Sequence, residues 1–176
     1  FLEYKNIILN KIDKYVFGFD DDTIEGVVSK MLQKNKYTLS LAESCTGGLI
    51  SKKITDVSGS SKFYKGSVIA YDDTIKINEL GISQSILNSK GAVSKEVASS
   101  MALSIKKKFK TDIGIATTGI SGPEGGSDKK PVGLIYIAIS MKNKNICKKF
   151  HLIPNRNLHR EIAAHTALNM LRQLIK

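Results

Sequence analysis

The run Val132-Gly133-Leu134-Ile135-Tyr136-Ile137-Ala138-Ile139 is almost continuously apolar. It is far shorter than the roughly 20 residues of a membrane-spanning helix. A run of this kind reads as an interior strand covered on both faces, so it demands helices above and below. The rest of the chain supplies them. Ile113-Gly114-Ile115-Ala116-Thr117-Thr118 reads as a second buried strand, and 37–42 and 67–71 as two more. Ile146 to Ile153 reads as a more polar strand at their side. Between them, apolar residues recur at helical spacing: Ile24, Val27, Val28, Met31 and Leu32; Leu49, Ile50 and Ile54; Val97, Met101, Ile105 and Phe109; and Leu158, Ile162, His165, Leu168, Leu171 and Ile175. Asp20-Asp21-Asp22-Thr23, Asp72-Asp73-Thr74 and Ser94 offer helix caps. Alternating strands and helices predict an α/β fold, a three-layer α/β/α domain with a mixed, largely parallel sheet. Ligands of such sheets sit beyond the carboxyl ends of the strands.

A chain of 176 residues suits one such domain. Residues 1–16 read as a short helix ahead of it, and the chain opens at Phe1 without an initiator Met. The net charge is +11, carried mostly by Lys. Arg, the side chain suited to bidentate phosphate and base contacts, stands only at 156, 160 and 172. The lysines are therefore read as a solvated face, and a nucleic-acid partner is not expected. Cys45 and Cys147 form no spaced framework; reduced thiols in a cytoplasmic protein are expected, without a membrane partner.

Three loops at strand ends carry candidate chemistry. The first, Ala42-Glu43-Ser44-Cys45-Thr46-Gly47-Gly48, joins a strand to a helix. Ser44 and Thr46 bring hydroxyls, Gly47 and Gly48 permit close backbone approach, and the helix start would offer free N–H groups to an anion. The second runs from Tyr71 to Lys76, with Gly59-Ser60-Ser61 upstream of its strand. The third, from Thr118 through Gly119 and Gly122 to Ser127, is glycine-rich enough to cradle phosphate. Pro123 spoils a nucleophile-elbow reading of that loop, and no P-loop or dinucleotide fingerprint occurs. His151, His159 and His165 do not suggest a metal site.

Taken in order, these motifs resemble the C-terminal domain of the competence/damage-inducible CinA family, which includes stand-alone nicotinamide mononucleotide deamidases of the PncC type. The matching residues are Ala42 through Gly48, Gly59-Ser60-Ser61, Tyr71 through Lys76, Gly91-Ala92-Val93-Ser94, Gly119-x-x-Gly122-Pro123-x-Gly125-Gly126-Ser127 and Lys130-Pro131-Val132-Gly133. The resemblance implies a division at residue 20: a linker or helix left from a larger CinA protein over 1–20, and the amidase domain over 21–176. It implies hydrolysis of nicotinamide mononucleotide to nicotinate mononucleotide and ammonia, a step of NAD salvage, with no metal and no cofactor. It further implies a homodimer, and an upstream domain absent from this chain. By motif match, Ser44, Ser61, Tyr71 and Lys76 form the catalytic group. Thr46, Gly47, Gly48, Thr118, Gly119, Gly122 and Arg156 bind substrate, with Arg160 a nearby alternative to Arg156. The other class of function the resemblance leaves open is a non-catalytic nucleotide- or DNA-linked interaction module.

An amide resists water, and a serine oxygen attacks it only if a base takes its proton. With no histidine in view, a buried Lys76 is expected to be that base. Ser44 is favoured over Ser61 as nucleophile, because a strand-to-helix turn sets a hydroxyl beside N–H donors that can hold the oxyanion. Ser61 would orient groups, and Tyr71 would pass a proton to ammonia. The glycine loop, Thr118 and Arg156 would hold the 5′-phosphate.

Overall fold

The computed structural model describes residues 2–12, 15–142 and 144–176. Along them run α1 (Leu2–Ile12), α2 (Ile24–Lys34), β1 (Leu39–Glu43), α3 (Leu49–Thr55) and a 3-10 turn (Ser60–Lys62). Then follow β2 (Tyr64–Ile69), α4 (Asp73–Leu80), α5 (Gln84–Lys90), α6 (Lys95–Phe109), β3 (Ile113–Gly119), β4 (Leu134–Met141), β5 (Lys144–His151) and α7 (Arg156–Leu174). No helix among the described residues is long and apolar enough to cross a membrane.

The strands form one mixed sheet in the order β2-β1-β3-β4-β5. β1 pairs in parallel with β2 and with β3. β4 runs antiparallel to β3, and β5 antiparallel to β4. Pairings thus divide evenly, although β4 alone points against the other four strands. The sheet is largely parallel by strand direction and only half so by pairing.

Alternation along the strands sorts large and small residues onto opposite faces. Leu39, Leu41, Ile113, Ile115, Ile135, Ile137 and Ile139 meet α2, α3 and α7 in one core. Ala42, Ala116 and Ala138 meet α4, α5 and α6 in the other. The small face lets α6 lie almost on the sheet. At Gly114 an added Cβ would run into the Ala102 carbonyl and the Lys106 backbone nitrogen of α6. Two buried hydroxyls satisfy each other at this seam: Ser40 Oγ lies 2.7 Å from Thr111 Oγ1 and 3.2 Å from the Ile105 carbonyl oxygen, to which it can donate.

Local chemistry sets the helix starts. Thr23, Asp72, Ser94 and Asn155 each accept a backbone N–H from the first turn of α2, α4, α6 and α7. The first three caps lie where their motifs placed them. The helix read over 1–16 is α1, with Phe1, Asp13 and Lys14 outside the described residues. α5 was not foreseen: it is short and polar, and Ser83 caps it through the Ile86 N–H.

Candidate active site

Parallel pairing brings the carboxyl ends of β1, β2 and β3 to one edge of the sheet. Glu43 stands between Ile69 and Thr117, and the ladder continues past it. The Ser44 N–H donates to the Thr117 carbonyl at 3.1 Å, and the Ala70 N–H to the Glu43 carbonyl at 2.8 Å. The three loops therefore emerge side by side. They enclose a cavity of about 190 Å³ whose walls include Ser44, Tyr71, Lys76, Thr118, Ser121 and Arg156. A larger hollow of about 470 Å³ lies against Tyr37, Met141 and Leu174 at the other end of the sheet. It is mostly apolar, whereas convergent buried polar groups mark a reactive site, so the smaller cavity is the candidate.

Lys76 lies in the first turn of α4 and folds back beneath the loop that starts the helix. It is 1% exposed. Its Nζ donates to the Tyr71 carbonyl and to Asp73 Oδ1, each at 3.0 Å. Of the four tetrahedral positions on that nitrogen, Cε takes one and these acceptors take two. The fourth carries a third proton in the ammonium form and a lone pair in the neutral amine, the state a general base requires. Ser44 shares the cavity, and among the described residues its hydroxyl takes no hydrogen-bond partner. The neighbouring Cys45 thiol also lines the wall. Burial pushes its pKa up to about 12, against a lesser pull from Thr117, so it stays protonated and is a poor nucleophile.

Arg156 opens α7 and bridges two loops: Nη1 donates to the Gly122 carbonyl at 3.1 Å and Nη2 to the Tyr71 hydroxyl at 2.9 Å. The Tyr71 proton is thereby left for another acceptor. Arg160, one turn on, donates from Nη2 to the Thr46 carbonyl at 3.0 Å and holds the first loop from outside. Of the two arginines, it is Arg156 that reaches the cavity.

Several of the named residues lie away from the cavity or turn their polar groups elsewhere. Ser61 is exposed, in the 3-10 turn before β2, while Tyr71 and Lys76 follow the far end of that strand. Six strand residues at about 3.3 Å each separate them. The N-terminus of α3 is not free. Glu43, wholly buried, accepts the Gly48, Ile50 and Ser51 N–H groups at 2.8–3.1 Å and the Ser51 hydroxyl at 2.6 Å. The Gly47 N–H donates to the Ser44 carbonyl. Gly47 and Gly48 therefore shape the turn instead of presenting donors; Gly47 takes a left-handed φ of 57°. Thr46 is buried with Oγ1 against Thr117 Oγ1 at 2.8 Å, turned into the protein. Thr118 does line the cavity, but its hydroxyl proton goes to the Ala92 carbonyl at 2.8 Å, so it cannot donate to a phosphate. Gly119 lines the wall, and Gly122 contributes the carbonyl that Arg156 holds.

One pair escaped the motif reading. Ser121 lines the cavity at 6% exposure, and its Oγ lies 2.9 Å from Nδ1 of His159, which is fully buried in α7. Burial holds the imidazole below the usual histidine pKa, against a weaker pull from the Gly133 backbone. The signal was present: His159 stands three residues after Arg156 and so shares its helix face.

Residues 21–175 match the CinA C-terminal domain. A CinA-like protein of Amoebophilus asiaticus is 44% identical over 169 residues, 96% of this chain and 41% of its own length. Another, from Dictyoglomus thermophilum, is 44% identical over 166 residues, 94% of this chain and 40% of its own. The chain thus spans about two-fifths of the length of these curated relatives. Two crystal structures share its fold. The competence/damage inducible protein CihA from Agrobacterium tumefaciens has a TM-score of 0.83 at 32% identity, covering 90% of this chain and 99% of that one. A CinA superfamily protein from Escherichia coli has a TM-score of 0.82 at 32% identity, covering 93% and 98%. With the family match over most of its length and this shared architecture, the chain belongs to the CinA C-terminal domain family.

Proposed function

We propose that this chain hydrolyses the carboxamide of nicotinamide mononucleotide, releasing nicotinate mononucleotide and ammonia. The observation that carries the reading is the buried Lys76 amine, held by two acceptors at a cavity it shares with an unpartnered serine hydroxyl. Ser44 Oγ attacks the amide carbon while the Lys76 lone pair takes the hydroxyl proton. The C–N bond breaks, the amine nitrogen is protonated through Lys76 or the Tyr71 O–H, and ammonia leaves. Water then cleaves the acyl ester and restores the serine. With the N–H groups at the start of α3 taken by Glu43 and the Thr46 carbonyl, the oxyanion falls to the Tyr71 hydroxyl and the Arg156 guanidinium, whose remaining N–H groups also suit a phosphate. The volume is below the roughly 300–1,000 Å³ of pockets that engulf a drug-sized ligand. It fits a pyridine head group with the ribose phosphate outside.

Chromatography of nicotinamide mononucleotide incubated with the purified chain tests this. Conversion to nicotinate mononucleotide is expected, lost by roughly a thousandfold or more in Ser44→Ala and kept in Ser61→Ala. Loss of turnover in Ser61→Ala with Ser44→Ala unaffected would reverse the assignment.

A further inference from the structure

Two neighbouring carboxylates stand at the start of α4 and do different work. Asp72 caps the helix: it accepts the Thr74 N–H at 2.8 Å and the Thr74 hydroxyl at 2.6 Å. Asp73 is not needed for that cap. Its Oδ1 accepts from Lys76 Nζ at 3.0 Å, and among the described residues its Oδ2 takes no hydrogen bond. The two ends of this ion pair lie at different depths. The Lys76 side chain is 2% exposed and that of Asp73 54%, so the pair runs from the buried amine out to solvent. Both residues line the cavity, and the other charged side chain in its wall is Arg156. Among the described residues, Asp73 is therefore the one carboxylate of that wall.

The ring of nicotinamide mononucleotide carries a fixed positive charge, because its nitrogen is bonded to ribose. An ammonium or a guanidinium in the wall repels that charge, and the Asp73 carboxylate attracts it. The proposed reaction brings the two within reach. For Ser44 to attack, the amide carbon stands within about 3–3.5 Å of the serine oxygen. For Lys76 to take the proton, that oxygen stands within about 2.6–3.2 Å of Nζ, which Asp73 already holds. The ring nitrogen is meta to the carbon bearing the amide, one ring's width away. It also bears the ribose phosphate, which a cavity of about 190 Å³ leaves outside. The charged nitrogen thus faces the opening, where Asp73 meets solvent.

We infer that Asp73 determines specificity for ring charge: its carboxylate receives the cationic ring nitrogen at the cavity opening, so the site takes N-substituted pyridinium carboxamides in preference to uncharged rings that bear the same amide. The inference rests on the amidase reading and deepens it. The substrate brings two opposite charges, and the wall answers each. Arg156 suits the phosphate, and Asp73 suits the ring. Without Asp73 the ring would enter a wall whose charged groups are both cations.

The test uses nicotinamide mononucleotide and its reduced form, which carries the same amide, ribose and phosphate on an uncharged dihydropyridine ring. Both are titrated by calorimetry into the serine variant that has lost turnover, so that neither is consumed, with and without Asp73→Asn. Asn keeps an oxygen for Lys76 and removes the charge. Asp73 is exposed and Asp72 holds the cap, so the substitution keeps the fold. The ratio of affinities, oxidised over reduced, is expected to fall about tenfold in Asp73→Asn. If Asp73 served only the helix dipole, its loss would lower stability and leave the ratio alone. A ratio unchanged within twofold overturns the inference and leaves the amidase reading standing. If the wild-type chain releases no ammonia, the amidase reading fails. The same titrations of the wild-type chain and of Asp73→Asn then still give the ratio, and binding of neither nucleotide, or a ratio that Asn leaves within twofold, overturns the inference as well.

Discussion

Glu43 shows how one side chain can hold a loop and deny it a role. Its carboxylate is wholly buried, yet it accepts three backbone N–H groups and a hydroxyl at the start of α3. It spends the positive end of that helix on a structural cap. Glu43→Gln would put an NH₂ among four donors. The expected cost is about 3 kcal/mol, read as a lower denaturation midpoint with an unchanged slope; a loss under about 0.5 kcal/mol, the size of an ordinary surface change, would contradict the buried cap. His159 gives a second residue-level expectation. Its folded-state pKa is depressed by burial, so the unfolded chain binds that proton more readily. Stability is full above the ordinary histidine value near 6.5, and is lost as pH falls from there through the lower folded-state value. Chemical denaturation at pH 7.5 and 5.5 should show that drop, and His159→Phe should flatten it. An equal drop in both proteins would place the titrating group elsewhere.

At the scale of elements, the two cores owe their shapes to which residue alternates with which. Large aliphatics face α2, α3 and α7, while Ser40, Ala42, Gly114 and Ala116 let α6 sit close. Gly114→Val should cost about 2–3 kcal/mol by overpacking, visible in thermal unfolding, whereas a shift within error would mean the helix can back away freely. Most of this layout was legible in the sequence, because period-2 and period-3.6 apolar patterns and hydroxyl or carboxylate caps are local signals. What was not legible is equally physical. α5 has a weak apolar stripe, and only Ser83 announces it. Glu43 sat in plain view inside a recognised motif, but its partners lie in the next helix and could be assigned only once the turn was folded. Ser121 and His159 are 38 residues apart, and no local pattern joins them. Ser44, Tyr71, Lys76, Thr118 and Arg156 were all named from motifs, and the fold gathers them at one cavity; Ser61, Thr46 and the two turn glycines were named with them and are not gathered.

For the whole molecule, the decisive fact is that three parallel strands end at one edge. No single loop holds a reactive site. The first brings a serine, the second a buried amine and a phenol, and the third the Thr118 and Ser121 hydroxyls, while α7 bridges the second and third through Arg156. The chemistry proposed here needs all four, and its centre is the amine. The most direct measurement is ammonia release from nicotinamide mononucleotide by the wild-type chain and by Lys76→Met, which keeps the bulk of the side chain and removes the base. Turnover should fall by roughly a hundred- to ten-thousandfold, with the variant still folded by circular dichroism. Turnover within a few fold of wild type in that folded variant would contradict a lysine base.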